Sequence, residues 1–160
     1  MPTRVMILNG PNLNLLGVRE PQIYGTTTLA SIEAACRELA QSIGASVDFH
    51  QSNHEGMLID WIHAAREQAD AIIINPAGFT FTSVALLDAL KMFDGPVIEL
   101  HISNIHAREA TYHQSKISAR ATAVICGLGA YGYVVALQCV ARMLDALPDS
   151  LPAALRLGPR

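Results

Sequence analysis

Charge is scarce in this chain: 11 basic and 14 acidic side chains make up 16% of 160 residues, for a formal net charge of -3. A weakly acidic balance of this kind excludes the electrostatic footprint of a nucleic-acid or anionic-membrane binder. Cysteine is nearly absent. Cys36, Cys126 and Cys139 have no metal-ligand spacing and cannot all pair, which excludes a disulfide scaffold and points to a reduced, cytoplasmic setting. The only lysines are Lys91, near an expected helix end, and Lys116, in a polar stretch, so a buried Schiff-base lysine has no candidate. The 6 histidines form neither a Cys/His cluster nor an H-E-x-x-H pair, and no metal is expected. Internal repeats, low-complexity segments and linkers are missing, and the first residues lack a signal-peptide layout.

What is present is apolar mass. Hydrophobic residues make up 51% of the chain, enough for one domain of this length to bury a core without staples. The expected domain covers residues 1–147, with 148–160 as a loose tail. One stretch tests the soluble reading: the 21 residues between Arg120 and Arg142 carry no charge. That length spans a bilayer, but Gly127, Gly129 and Gly132 divide it into a short buried strand at 121–126 and a helix at 133–147.

Apolar runs alternate with helical periods along the whole chain. Strands are expected at 5–8, 45–50, 71–74, 96–101 and 121–126. Helices are expected from a Thr27 or Thr28 cap to about 43, at 55–69, at about 82–93 and at 133–147. Five strands with helices between them imply an α/β fold, a flavodoxin-like doubly wound five-stranded parallel sheet covered by helices on both faces. Ligands of such folds sit outside the carboxyl ends of the strands.

The residues at those ends have a chemistry in common. After the first strand comes a polar, glycine-rich loop with Asn12, Arg19 and Tyr24. The third strand ends at Asn75, and the fourth in Glu99-Leu100-His101-Ile102-Ser103. Period two puts Glu99 and His101 on one face. A guanidinium favours a phenolate, so Arg19 beside Tyr24 suits a base. A carboxylate beside an imidazole orients it as an acid. Asparagine amides and backbone N–H groups can hold an enolate or a carboxylate. Together these describe proton abstraction beside a carbonyl, followed by loss of a hydroxyl. The plainer readings are a surface Tyr24, a solvated Arg19, a structural Glu99–His101 pair, and turn-forming asparagines.

Two other patterns point elsewhere. Gly127-Leu128-Gly129-Ala130-Tyr131-Gly132 matches G-x-G-x-x-G, but no strand follows to carry a ribose-binding acid, so a tight turn with close helix packing is expected. A phosphoacceptor receiver needs clustered acids after the first strand, and Asn9-Gly10-Pro11 has none.

Longer motifs carry a resemblance. Leu8-Asn9-Gly10-Pro11-Asn12-Leu13-Asn14, Arg19-Glu20-Pro21 with Tyr24-Gly25, Gln51-Ser52-Asn53-His54-Glu55-Gly56, Glu99-Leu100-His101-Ile102-Ser103-Asn104 and His106-Ala107-Arg108-Glu109 together resemble the type II 3-dehydroquinate dehydratases, over about residues 4–144. The resemblance implies a cofactor-free anti elimination of water through an enolate. It implies Tyr24 as base, held as phenolate by Arg19, with Asn12 stabilising the enolate through a water. His101, oriented by Glu99, protonates the leaving hydroxyl. Asn75 binds substrate, and Ile102 and Ser103 receive its carboxylate. It also implies a homo-oligomer, a dodecamer of four trimers, in which Asp88 reaches a neighbour's site, and a lid carrying Arg19 and Tyr24.

Three positions depart from the family pattern. Phe81 stands where the family has histidine, and Leu87 and Tyr112 where it has arginine. The catalytic half therefore matches, while the half that contacts the remote ring hydroxyls does not. The expected consequences are weakened affinity, partly compensated by Tyr112 or His113; or a shifted preference for a related cyclic β-hydroxyketone acid; or a non-catalytic ligand-binding shell.

Overall fold

A computed structural model describes residues 1–146 except Arg19, with Tyr24 described by its backbone alone. Arg19 and the side chain of Tyr24, expected as guanidinium partner and base, and the tail from 148 therefore lie outside the described residues. Five strands form one sheet: β1 (Thr3–Asn9), β2 (Ala45–Gln51), β3 (Ala71–Asn75), β4 (Val97–His101) and β5 (Ala123–Cys126). Their order is β2-β1-β3-β4-β5, and every neighbouring pair is parallel. This is the expected doubly wound arrangement, with its switch point between β1 and β3.

The sheet is apolar on both faces. On β1, Val5 and Ile7 join one core with Ile32 and Cys36 of α2 (Leu29–Ser42) and Tyr133 and Leu137 of α5 (Tyr131–Met143). Met6 and Leu8 join the other with Leu58 and Ile62 of α3 (Glu55–Gln68) and Leu86 and Leu90 of α4 (Val84–Leu90). Alternate residues of one strand thus serve opposite helix layers, as a strand covered on both sides requires. No helix among the described residues is long and apolar enough to cross a membrane.

Local chemistry sets the helix starts. Thr28 caps α2 by accepting from the Ser31 N–H at 3.2 Å, and Ser83 caps α4 by accepting from the Leu86 N–H at 2.9 Å.

Three expectations need correction. The helix expected at 82–93 is shorter, because a 3-10 turn (Ala77–Phe81) fills the chain before Ser83. The last helix begins two residues early and stops at Met143: Asp145 takes a left-handed φ of 55°, and the Ala146 N–H returns to the Ala141 carbonyl at 2.7 Å. β5 is shorter than 121–126 and only partly buried, because it is the sheet's edge and Val124 remains 44% exposed.

The loop after β1 is also less polar than it reads. Leu13 and Leu16 are buried in the core, and a four-residue helix, α1 (Pro21–Tyr24), follows. The Gly127–Gly132 segment is a tight turn. A Cβ at Gly132 would stand 2.9 Å from Leu100 Cδ1, so the start of α5 rests directly on β4.

Candidate active site

The carboxyl ends of β1, β3 and β4 border one cleft, of about 760 Å³ counted out to its open mouth. Asn12, Asn75, His101, Ile102 and Ser103 line it, as the strand-end reading expects. Phe81 and Tyr112 line it too.

β4 builds one side. Its five residues are all buried, and period two turns Glu99 and His101 the same way. The His101 Nε2–H donates to Glu99 Oε2 at 2.8 Å. Ser115 Oγ donates to Glu99 Oε1 at 2.6 Å, and Ser118 Oγ lies 3.0 Å from both carboxylate oxygens. Burial alone pushes the Glu99 carboxyl up. The bonds from His101, Ser115 and Ser118, together with the imidazole's charge, outweigh it and hold the group below its ordinary value. Glu99 is therefore an anion with its lone pairs occupied. Its bond to Nε2 sets the ring's orientation and leaves Nδ1 as the nitrogen that can serve the cleft.

β1 and β3 build the other side. Asn9 and Asn75 stand opposite each other in register. The Gly10 N–H donates to the Asn75 carbonyl at 2.8 Å, and a Cβ at Gly10 would come 2.3 Å from the Pro76 carbonyl oxygen. Only glycine lets the loop pass so close to the end of β3. Beyond it, Asn12 has a φ of 69°, and its N–H donates to Asn53 Oδ1 at 2.9 Å. The exposed Asn12 side chain is thus held at the rim by its backbone.

The far wall is aromatic. The Phe81 ring stacks toward His101 with centroids 6.3 Å apart, and the Tyr112 ring meets Phe81 edge-on at 5.3 Å. Arg108 lines the cleft as well, its guanidinium carbon 3.9 Å from the Tyr112 ring centroid. His113 does not compensate for the missing arginine: it is exposed, it does not line the cleft, and its ring Nε2–H bonds to the Arg108 carbonyl. Leu87 and Asp88 lie on α4 away from this cleft lining, and Asp88 Oδ1 is 3.9 Å from Lys91 Nζ.

Four contributors were not legible. Arg108 sits inside a motif that assigns it no role. Ser115 and Ser118 come from an aperiodic stretch of 3-10 turns, where only the demand of a buried carboxylate for donors could have pointed to them. Tyr133 reads as a core aromatic of α5, yet its hydroxyl reaches Asn9 and Asn75.

Chemically, the cleft offers an imidazole backed by a carboxylate, amides near an open loop, and a guanidinium. The chain is also similar to proteins of known activity. Residues 3–141 match the family model described as dehydroquinase class II. A 3-dehydroquinate dehydratase from Rhizobium meliloti is 53% identical, over 91% of this chain and 98% of that protein. A catabolic 3-dehydroquinase 1 from Neosartorya fischeri is 57% identical, over 88% of this chain and 94% of that protein. The crystal structure of a type II dehydroquinase from Propionibacterium acnes superposes with a TM-score of 0.85 at 44% identity, covering 88% of this chain and 97% of that one.

Proposed function

We propose, for a chain that belongs to the class II dehydroquinase family, an elimination in which its own strand-end residues take 3-dehydroquinate to 3-dehydroshikimate and water. The activity is that of a 3-dehydroquinate dehydratase, a hydro-lyase. The observation that supports the division of labour is the Glu99–His101 pair at the cleft, with Glu99 satisfied on both oxygens.

The chemistry runs through an enolate. Tyr24, as phenolate beside Arg19, removes the proton from the carbon next to the ketone. The electron pair moves onto the carbonyl oxygen, where Asn12 stabilises it through a water. When the enolate collapses, the carbon–oxygen bond to the β-hydroxyl breaks, and His101 supplies a proton so that water leaves. The ring gains a double bond conjugated to the ketone, and no electron acceptor or cofactor is needed. Asn75 holds the ring, and Ile102 and Ser103 take the carboxylate. Arg108 adds positive charge on the same wall.

Phe81 and Tyr112 leave the far side of the ring against aromatic carbon where hydroxyls would otherwise find donors. The identity to dehydratases over most of the chain favours the ordinary reaction over a shifted substrate or an inert shell. The chain works as a homo-oligomer in the cytoplasm. Supporting this are the exposed apolar Val84, Met92, Leu128 and Tyr131, and the three free cysteines.

Absorbance of the conjugated enone tests the reading. Wild-type protein should turn over 3-dehydroquinate, and His101→Ala should lower kcat by roughly 10²–10⁴-fold, the usual worth of a positioned general acid. Wild-type kcat in that variant would remove His101 from the chemistry.

A further inference from the structure

Three buried groups behind the cleft form one directed chain. Asn9 is fully buried at the end of β1, Asn75 is 4% exposed at the end of β3, and Tyr133 is fully buried on α5. Asn9 Nδ2 donates to the His50 carbonyl at 3.0 Å. The Tyr133 hydroxyl donates to Asn9 Oδ1 at 2.7 Å. Asn75 Nδ2 donates to the Tyr133 oxygen at 3.0 Å, and Asn75 Oδ1 accepts the Ala77 N–H at 3.3 Å.

The direction of this chain is forced at both ends. A backbone carbonyl only accepts, so Asn9 must turn its NH₂ to His50 and its oxygen to Tyr133. Tyr133 has one proton, which that oxygen takes. The phenol can then only accept from Asn75, so Asn75 must present its NH₂ to Tyr133. A backbone N–H only donates, so the Asn75 oxygen faces Ala77. Every alternative leaves two donors or two acceptors facing each other in the interior, at the cost of a buried unsatisfied group.

We propose that Tyr133 is a positioning residue for the elimination: through Asn9 and Asn75 it fixes which end of the Asn75 amide the substrate meets, so that the cleft offers the second Nδ2 hydrogen as a donor to a substrate oxygen. This rests on the reading of Asn75 as a substrate-binding residue. Burial pushes the Tyr133 phenol well above its ordinary value, so it keeps its proton throughout the working pH range. The ring packs on Phe49 at 6.4 Å between centroids, so removing only the hydroxyl leaves the packing in place.

The test is a double-mutant cycle in full-length protein with 3-dehydroquinate. Asn75 contributes to ground state and transition state alike, so Tyr133→Phe should act on KM. We expect a rise of about tenfold, the equivalent of one misdirected hydrogen bond, with kcat within about threefold. In an Asn75→Ala background, Tyr133→Phe should add less than about twofold, since it acts through that amide. The Asn75 NH₂ signals in NMR, assigned by their loss in Asn75→Ala, should exchange faster with solvent in Tyr133→Phe. The same loss in both backgrounds, or a fall in kcat at constant KM, would make Tyr133 merely structural and overturn the proposal. An unchanged KM in Asn75→Ala would instead remove the substrate-binding role of Asn75, and this proposal with it. Asn9→Ala is the second variant if Tyr133→Phe does not fold. It frees the phenol to donate to Asn75 Oδ1, and should raise KM only where Asn75 is present.

Discussion

Glu99 joins the proposed elimination to acid stability in one side chain. Its folded-state value is depressed, so the stability it contributes is complete above the ordinary carboxylate value of about 4.3 and is lost as pH falls through the lower folded value. Glu99→Gln should flatten the dependence of the urea midpoint on pH below about 4.3. The same variant should lower kcat by about 10- to 100-fold, because an amide cannot accept from His101 and both serines at once. A midpoint that still followed the wild-type slope would assign the acid sensitivity to other carboxylates. This residue also shows how much of the site the sequence exposes. Glu99 and His101 are legible because a strand has period two and a charge inside a parallel sheet needs a partner. Ser115, Ser118 and Tyr133 are not, since each reaches its target across the tertiary fold with no spacing to announce it. Phe81 and Tyr112 are legible as departures from a pattern, but their mutual edge-on packing and the guanidinium over Tyr112 exist only in space.

Among the elements, α4 shows where local signals run out. Its apolar period suggests a helix at 82–93, and the observed Val84–Leu90 is shorter at both ends. The difference lies in Ser83, whose hydroxyl takes the Leu86 N–H and so sets the first turn. Ser83 is 2% exposed, so water cannot replace that bond. Ser83→Ala should cost about 1 kcal/mol or somewhat more and lower Tm by roughly 2–4 °C. A melting curve unchanged within error would mean that the preceding 3-10 turn alone terminates the helix. The strands were legible to within two residues at each end because uniform apolar runs bounded by Gly, Pro and Asn leave little choice. β5 was misjudged in burial, since an edge strand and a central one share composition and differ only in neighbours.

At the scale of the molecule, exposed apolar side chains and the position of Asp88 support the proposed homo-oligomer. Asp88 is exposed on α4 and does not line the cleft of its own chain. Light scattering should therefore give a mass that is a multiple of 17.2 kDa, and twelve copies are expected from the family resemblance. A species at 17.2 kDa alone would leave Asp88 with no site to reach. The flavodoxin-like doubly wound class was legible, and the strand order goes with it: alternating strands and helices, with right-handed crossovers, leave few topologies to choose from.

That order has a consequence in time. β1 lies inside the sheet, yet of its five strands it is the first to be synthesised. Its Leu8 pairs with His50 on one side and Ile74 on the other. Until β3 has been synthesised, a growing chain carries an apolar ribbon with at least one open edge, and the cleft that needs Asn75 beside Asn9 has not begun to exist. Assembly of this site is a late, long-range event of synthesis, and the interval before it is when the chain is most exposed to mispairing.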